Sequence, residues 1–423
     1  MIGISPLINT IQEYPWGSRT FLAELLGTKQ LGTEPTNRPQ AELWMGAHPK
    51  APSSVSVGDH VVPLPEIISE DPEAILGRRT LQTFGRRLPF LFKVIAADAP
   101  LSIQAHPNRA QARAGFEREN RMGLALHADN RNYRDDNHKP EIACALTELR
   151  ALQGFRGVQE MVTLLGAIEC PATKNLVDML CRQPLEQGLQ RFFTALMSLE
   201  RDQARHIAAA VAGHARVRAQ KTDARPEWEL INTLAAAYPE DLGILGPLFL
   251  NLVVLKPQQA LFQGSGQLHA YMGGAAIELM ASSDNVVRGG LTHKHVDRTE
   301  LLKIIEFEAH LPEPVCAQPT KTAVEEQVNP TEVIFPTSTT EFQLSRIHVA
   351  PERLHRSPAR HEIELLICLA GSGSIHDESR GVIQEFGRGN SFLIPAAVQK
   401  YTIRGAADLY KAGMPRLDGL ATA

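Results

Sequence analysis

Four polar side chains able to share one metal ion stand in three segments far apart in the chain, and few folds bring such segments together. Gln104 and His106 lie in Leu101-Ser-Ile-Gln-Ala-His-Pro107, Glu141 in His138-Lys-Pro-Glu141, and His269 in Gln267-Leu-His-Ala-Tyr271. Zinc accepts nitrogen and oxygen donors, and catalytic sites keep one position open. Two histidines, a carboxylate and an amide oxygen suit a catalytic ion better than a structural one, which favours cysteine. Just beyond His269 runs Glu278-Leu-Met-Ala-Ser-Ser-Asp-Asn-Val-Val-Arg-Gly-Gly-Leu291, too polar for an ordinary core strand. A metal beside an arginine and several carboxylates points to chemistry on an anionic substrate.

The pattern around these donors is that of strands. Residues 101–105 alternate apolar and polar. Residues two apart on a strand face the same side, so Gln104 and His106 can point at one ion. Short apolar pieces such as Val61-Val-Pro-Leu64 and Leu88-Pro-Phe-Leu-Phe-Lys-Val-Ile95 are separated by turns. From residue 158 to about 238 the period becomes helical. Leu185, Leu189, Phe192, Leu196 and Leu199 recur at spacings of three and four and form one apolar face. An alanine-rich stretch at 206–217 and a proline-started run at 226–238 continue the helices. Strand character returns over residues 248–255 and 260–262, followed by the turn Gly264-Ser-Gly266. From about Thr320 onward short strands recur at Val333-Ile-Phe335, Phe342-Gln-Leu344, residues 363–369, Gly373-Ser-Ile375 and Ser391-Phe-Leu-Ile394. Many short strands with frequent turns imply a sandwich or jelly roll. The expected class is therefore mainly β with an α insertion.

Composition removes several functions. The formal net charge of −4 lacks the basic excess of a protein living on nucleic acid. No apolar run is long enough to span a membrane. The start, Met1-Ile-Gly-Ile-Ser-Pro6, has none of the parts of a signal peptide. Five widely spaced cysteines without a Cys-x-x-Cys pair fit reduced thiols in a cytoplasm.

The three donor segments and the stretch from Glu278 to Thr292 closely resemble the motifs of type I mannose-6-phosphate isomerases (phosphomannose isomerases). Tyr14-Pro-Trp-Gly17, Ala41-Glu-Leu-Trp-Met-Gly-Ala-His-Pro-Lys50 and residues 88–93 resemble the same family. The likeness covers about residues 10–150 and 245–305; the helical part and the last hundred residues match in layout more than in text. It implies two cupin-type jelly-roll barrels plus an all-helical domain. The expected division is a catalytic barrel from 1–150 and 246–320, a helical insertion at 151–245, and a metal-free cupin-like barrel at 321–423. It also implies one Zn2+ per chain on Gln104, His106, Glu141 and His269, with Arg288 as the active-site arginine. Lys93, Ser102, Lys139, Tyr271, Glu278 and Asp284 then line the substrate pocket. The partner is a small sugar phosphate, with neither nucleic acid nor membrane, in a monomeric cytoplasmic enzyme.

Three departures from the family text stand out. Phe262-Gln-Gly-Ser-Gly266 replaces a proline-containing turn, His293 stands where Leu-Thr-Pro-Lys is usual, and Lys400 sits where a second-barrel ligand would fall. A cation at Lys400 repels a metal, so no second ion is expected there.

The implied reaction interconverts mannose 6-phosphate and fructose 6-phosphate through an enediol(ate). Arg288 stays protonated and so clamps charge rather than acting as base; a salt bridge to Asp284, four residues earlier, is its alternative use. A lysine beside a divalent cation loses its proton more easily, which makes Lys139 a base candidate. Glu278 is its rival and His138 a third. Lys93, Ser102 and Lys294 are candidates for the phosphate. Two other classes fit a cupin: an iron-dependent oxygenase, which oxygen uptake would reveal, and a catalytically dead sugar-binding protein, which would lack a donor or the arginine.

Overall fold

The computed structural model describes residues 2–31, 38–181, 185–319, 331–358 and 360–415, and of residues 28–31 and 185 the backbone alone. Residues 10–155 and 250–316 supply an eleven-stranded antiparallel sheet. The strands are β1 (Thr10–Gln12), β2 (Glu42–Gly46), β3 (Phe90–Ala97), β4 (Ile103–Ala105), β5 (Glu141–Ala145) and β6 (Leu149–Phe155). After the helices come β7 (Leu250–Leu255), β8 (Gln259–Gln263), β9 (His269–Ala281), β10 (Val287–Gly290) and β11 (Val315–Cys316). The main path runs β11-β8-β5-β9-β3-β2-β1, while β6 and β4 pair with the other end of β9, and β7 and β10 pair with β6 and β4.

Alternation along these strands sorts the side chains into two faces. Phe92, Val94, Ile142, Cys144, Ile277 and Leu279 are fully buried and pack with Phe335, Leu344, Leu365 and Tyr410 of a second sheet. The intervening residues, Lys93, Glu141 and Glu278, face away from that contact. Each large apolar side chain so buried contributes about 1.5–3 kcal/mol, which fixes the register and thereby the polar face. At the other end of β9 the outward residues Ile103, Leu152, Leu268, Ala270 and Val287 pack against the helices. Gln104, His269 and Arg288 alternate with them and face inward. The site is thus walled by two sheet surfaces, one backed by helices and one by the second sheet.

The second sheet has nine strands, among them Glu332–Phe335, Gln343–Val349, Glu364–Asp377, Ser391–Ile394 and Tyr401–Gly413. Gly373-Ser-Ile375 is not a separate strand. It lies inside the 14-residue strand Glu364–Asp377, which pairs with Tyr401–Gly413 along its whole length. A register shift between Cys368 and Ala370, with Gly371 at φ 80°, bends the strand without ending it. The expected change of character near Thr320 lies outside the described residues.

Helices occupy the middle of the chain: α1 (Val158–Gly166), α2 (Pro171–Cys181), α3 (Leu185–Met197), α4 (Arg201–Arg218) and α5 (Pro226–Ala237). The apolar stripe of α3 is buried at Leu189, Phe192 and Leu196, with Leu199 packed at its end; the side chain of Leu185 is outside the described set. The strand expected from Leu248 begins instead at Leu250, because Gly246–Phe249 forms a short helical turn with proline at its start. Among the described residues no helix is long and apolar enough to cross a membrane.

A carboxylate also ties the two sheets together. Glu341, between the strands Glu332–Phe335 and Gln343–Val349 of the second sheet, pairs with Arg109 and with His138 at 2.7 Å, and accepts from the Thr339 hydroxyl. Burial alone would raise its pKa, but the bonds from His138 and Thr339 outweigh it and hold the carboxyl at about 2. Because the folded group is the stronger acid, the unfolded chain binds the extra proton between about 2 and the usual 4.5. The contribution is therefore full above pH 4.5 and is lost as pH falls toward 2. A depression of this size is worth about 3 kcal/mol. Glu341→Gln should lower the unfolding free energy in urea by about 1–3 kcal/mol at pH 7 and by progressively less toward pH 3. A gap that stays constant with pH would remove the linkage.

Candidate active site

Three of the four expected donors converge. The ligand atoms of His106, Glu141 and His269 all lie within 4.8 Å of one another, and all three residues are buried. Glu141 Oε2 is 3.5 Å from His106 Nε2 and 3.3 Å from His269 Nε2. Each imidazole is turned by a backbone carbonyl on its far side. His106 Nδ1 is 2.7 Å from the Asn285 carbonyl and His269 Nδ1 is 3.0 Å from that of Gln267. A proton on Nδ1 satisfies those carbonyls and leaves the Nε2 lone pairs aimed at the common point. Both Nε2 atoms are buried without a hydrogen-bond partner. Such orphaned nitrogens are costly in a protein interior, and a divalent cation would satisfy both together with the carboxylate. The donor set therefore fits a metal ion.

The fourth donor is placed by register. Gln104 on β4 lies directly across from His269 on β9 and, on its other side, from Arg288 on β10. Cross-strand partners share a face, so amide, imidazole and guanidinium project from one level of one wall. The turn before β9 holds this wall in position. Gly266 has φ 77°, and its N–H donates to the His106 carbonyl at 2.8 Å. A Cβ there would meet the Ile304 carbonyl oxygen at 2.9 Å, so the glycine is required.

Electrostatics prepare the donors. Burial, helped by the Lys139 ammonium, pulls His106 down to about 4, which leaves it a neutral ligand. Burial would raise Glu141, but Lys139 and His106 outweigh it and keep the carboxylate ionised. Lys139 is itself buried, with Nζ 3.0 Å from Glu141 Oε1.

Beyond the donors, β3 and β9 carry a buried polar network. Lys93 Nζ is 3.0 Å from Glu278 Oε2 and 3.4 Å from Glu42 Oε2, and lies over the Trp44 ring. Burial opposes its charge, but Glu278 and Glu42 prevail and its pKa is raised. Glu278 is raised as well, mainly by burial, with Lys93 only partly offsetting it. The Tyr271 hydroxyl donates to Glu278 Oε1 at 3.2 Å and receives the Gln263 amide at 3.3 Å. Strict alternation would put Glu278 on the face opposite Tyr271. A register shift between Tyr271 and Gly273 returns it to the same side. Gly274, at φ 111°, sits so close that a Cβ would meet the Glu148 carbonyl oxygen at 2.3 Å.

Other expected residues lie at the rim. Arg288 is half-buried, and burial plus the neighbouring Arg134 lower its pKa. The salt bridge to Asp284 does not form: Asp284 is taken by Lys50 at 2.9 Å and His48 at 3.2 Å. These two outweigh burial and hold Asp284 well below the usual carboxylate range. Among the described residues no carboxylate pairs with Arg288. Ser102 is half-buried just before β4, Lys294 is exposed, and His293 is exposed with its ring 5.7 Å from that of Tyr238. His138 turns away to Glu341. Lys400 is exposed just before the strand Tyr401–Gly413.

Sequence reasoning gave no role to Glu42, Trp44, Gln263 or Asn285. Glu42 and Trp44 stand in a quoted motif, and their alternate spacing was the available signal. Asn285 offered none, because its backbone carbonyl does the work.

A buried two-histidine, one-carboxylate cluster in an antiparallel sheet wall, ringed by lysine, arginine and carboxylates, is the site of a metal-binding β-sheet enzyme. The family described as phosphomannose isomerase type I, catalytic domain, matches residues 4–158. Mannose-6-phosphate isomerase of Escherichia coli (strain K12) is 36% identical over 403 residues, covering 94% of this chain and 96% of that protein. The Homo sapiens enzyme of the same name is 35% identical over 324 residues, covering 72% and 73%. A zinc-bound mannose 6-phosphate isomerase crystal structure superposes with a TM-score of 0.86 at 32% identity, over 98% of this chain and 100% of the other. This chain belongs to the type I phosphomannose isomerase family.

Proposed function

We propose that the chain is a zinc-dependent aldose–ketose isomerase that interconverts mannose 6-phosphate and fructose 6-phosphate. One observation carries this: two buried, partnerless imidazole nitrogens meet the Glu141 carboxylate at a single point. Gln104, His106, Glu141 and His269 would hold the ion. A divalent cation there supplies Lewis-acid stabilisation of oxyanion charge, worth several kcal/mol.

The protein's own groups do the rest. Isomerisation takes a proton from C2, delivers it to C1, and moves another between the two oxygens. Lys139 and Glu278 are the base candidates, both buried on the inner face. The raised Glu278 carboxyl is a poised acceptor and donor, with Lys93 and Tyr271 fixing its orientation. Arg288 clamps the developing oxyanion of the enediolate, and its lack of a carboxylate partner leaves its donors available. Ser102 and Lys294 receive the phosphate, and Asp284, braced by Lys50 and His48, lines the entrance. The packed walls exclude water while charge exists.

The same reading takes 1–150 and 246–320 as one catalytic cupin-type jelly roll, 151–245 as a helical domain and 321–423 as a metal-free cupin-like barrel. Two antiparallel sheet systems flanking a helical run support it. The chain is taken as a monomer.

The test is turnover of mannose 6-phosphate before and after thorough chelation, then with zinc restored. Loss and recovery are expected; unchanged turnover in metal-free protein would refute the reading. For the base, Lys139→Met and Glu278→Gln are compared across pH. The variant lacking the base should lose about 10²–10⁴ in kcat and the acidic limb of the profile with it. A profile of unchanged shape clears that residue of the role.

A further inference from the structure

We propose that a second anion site adjoins the reaction site and takes a nucleoside diphosphate. A cleft of about 520 Å³ is walled by the 47–50 segment, the 83–89 loop, the first turns of helix Arg109–Arg121 and the 134–137 loop. Of the expected site residues only Asp284 reaches it, and none of the metal donors does. Five guanidiniums line it; Arg109 is paired with Glu341, while Arg86, Arg87, Arg113 and Arg134 have no ion pair among the described residues. The acids of the wall are largely committed. Asp284 is held by Lys50 and His48, and Asp135 by the Ser283 hydroxyl and the Asp284 N–H. Three carboxylates in all, Asp135, Asp136 and Asp284, stand against five guanidiniums and Lys50, which leaves an excess of cations.

This arrangement costs stability. Arg86 and Arg87 are adjacent, and Arg113 follows Arg109 by one helical turn, a like-charge spacing that weakens a helix. Gathered cations in a cleft attract an anion strongly, and the guanidinium fork matches phosphate oxygens two at a time. The cations come from three separate segments, the 83–89 loop, the helix and the 134–137 loop, which suits two linked phosphates better than one. Ile68, Phe84 and Leu88 also line the cleft and offer apolar surface for a flat ring. The volume falls within the range of small-molecule pockets.

The cleft is joined to the reaction site. The Arg134 N–H donates to Asn285 Oδ1 at 2.7 Å, and the Asn285 carbonyl orients His106. The charge of Arg134 also acts on Arg288 and Lys294. A diphosphate on Arg134 would damp the positive field that receives the substrate's phosphate. The expected kinetic effect, which rests on the proposed isomerase reading, is a higher KM with kcat unchanged.

Binding itself is tested independently of activity. Adenosine diphosphate and inorganic pyrophosphate are titrated calorimetrically into the full metal-loaded chain, with and without saturating mannose 6-phosphate. One adenosine diphosphate per chain is expected in both conditions, with pyrophosphate weaker. The double variant Arg86→Ala/Arg113→Ala should bind at least about tenfold more weakly while its turnover without nucleotide is unchanged. No binding at millimolar nucleotide, equal binding by the double variant, or complete displacement by mannose 6-phosphate each overturns the site. Pyrophosphate binding as tight as the nucleotide overturns the ring's place in it.

Discussion

Replacing His269 with alanine is expected to abolish metal binding and to cost at least about 10³ in isomerase turnover, while the fold persists. Among the described residues the ring's hydrogen bond joins Nδ1 to the Gln267 carbonyl, two residues away, and Nε2 points into the site 3.3 Å from Glu141 Oε2. Truncation therefore removes the contact to Glu141 and no other long-range polar link among the described residues. It does leave a small cavity behind a residue 1% exposed, at a cost of about 1–3 kcal/mol. The remaining set of Gln104, His106 and Glu141 has lost one of its two imidazoles, which weakens its hold on a catalytic ion against dilution or chelator. Three measurements separate the possibilities: metal content by elemental analysis, turnover, and the thermal midpoint. Loss of metal and turnover with a melting transition still present is the expected result. A variant with full metal and full turnover would take His269 out of the site.

That histidine shows how far the sequence could be read. Four donors in three separate segments predicted convergence, and alternation predicted which neighbours would face inward. Gln104 does lie opposite His269, and the outward residues beside them are apolar. The helices were legible because their period is long and their stripes are continuous. Strand neighbours were not, since a period of two states which face a residue takes but not which strand lies beside it. Hence Glu42 and Trp44 carried no role until β2 was seen next to β3, with Trp44 across from Lys93. Glu278 is a sharper case. Counting by twos from His269 sends it to the wrong face, and only the shift at Gly273 corrects the count. Two glycines in a strand hint at a bulge without giving its effect on register. The Arg288–Asp284 bridge failed for a related reason. Four-residue spacing brings charges together on a helix, but here Asp284 lies before a strand, and Lys50 from a distant segment claims it.

Arg288→Ala is expected to keep the metal and lose about 10²–10³ in kcat. The argument rests on what the guanidinium lacks. It is half-buried, its nearest charged influence is the like charge of Arg134, and no carboxylate among the described residues pairs with it. A cation held this way weakens the fold, since desolvation goes uncompensated. Removing it should therefore leave stability unchanged or raise it by up to about 1 kcal/mol. A structural salt bridge predicts the opposite sign. Metal content separates the two roles further, because Arg288 stands one strand away from His269, with Gln104 between them. The conservative variant adds a second axis. Arg288→Lys retains the charge but loses the planar fork, so turnover between the two extremes assigns part of the effect to charge and part to geometry. If Arg288→Ala turns over like the parent, the clamp is elsewhere. If it loses metal, the residue supports the donor wall and does not touch the reacting oxygens.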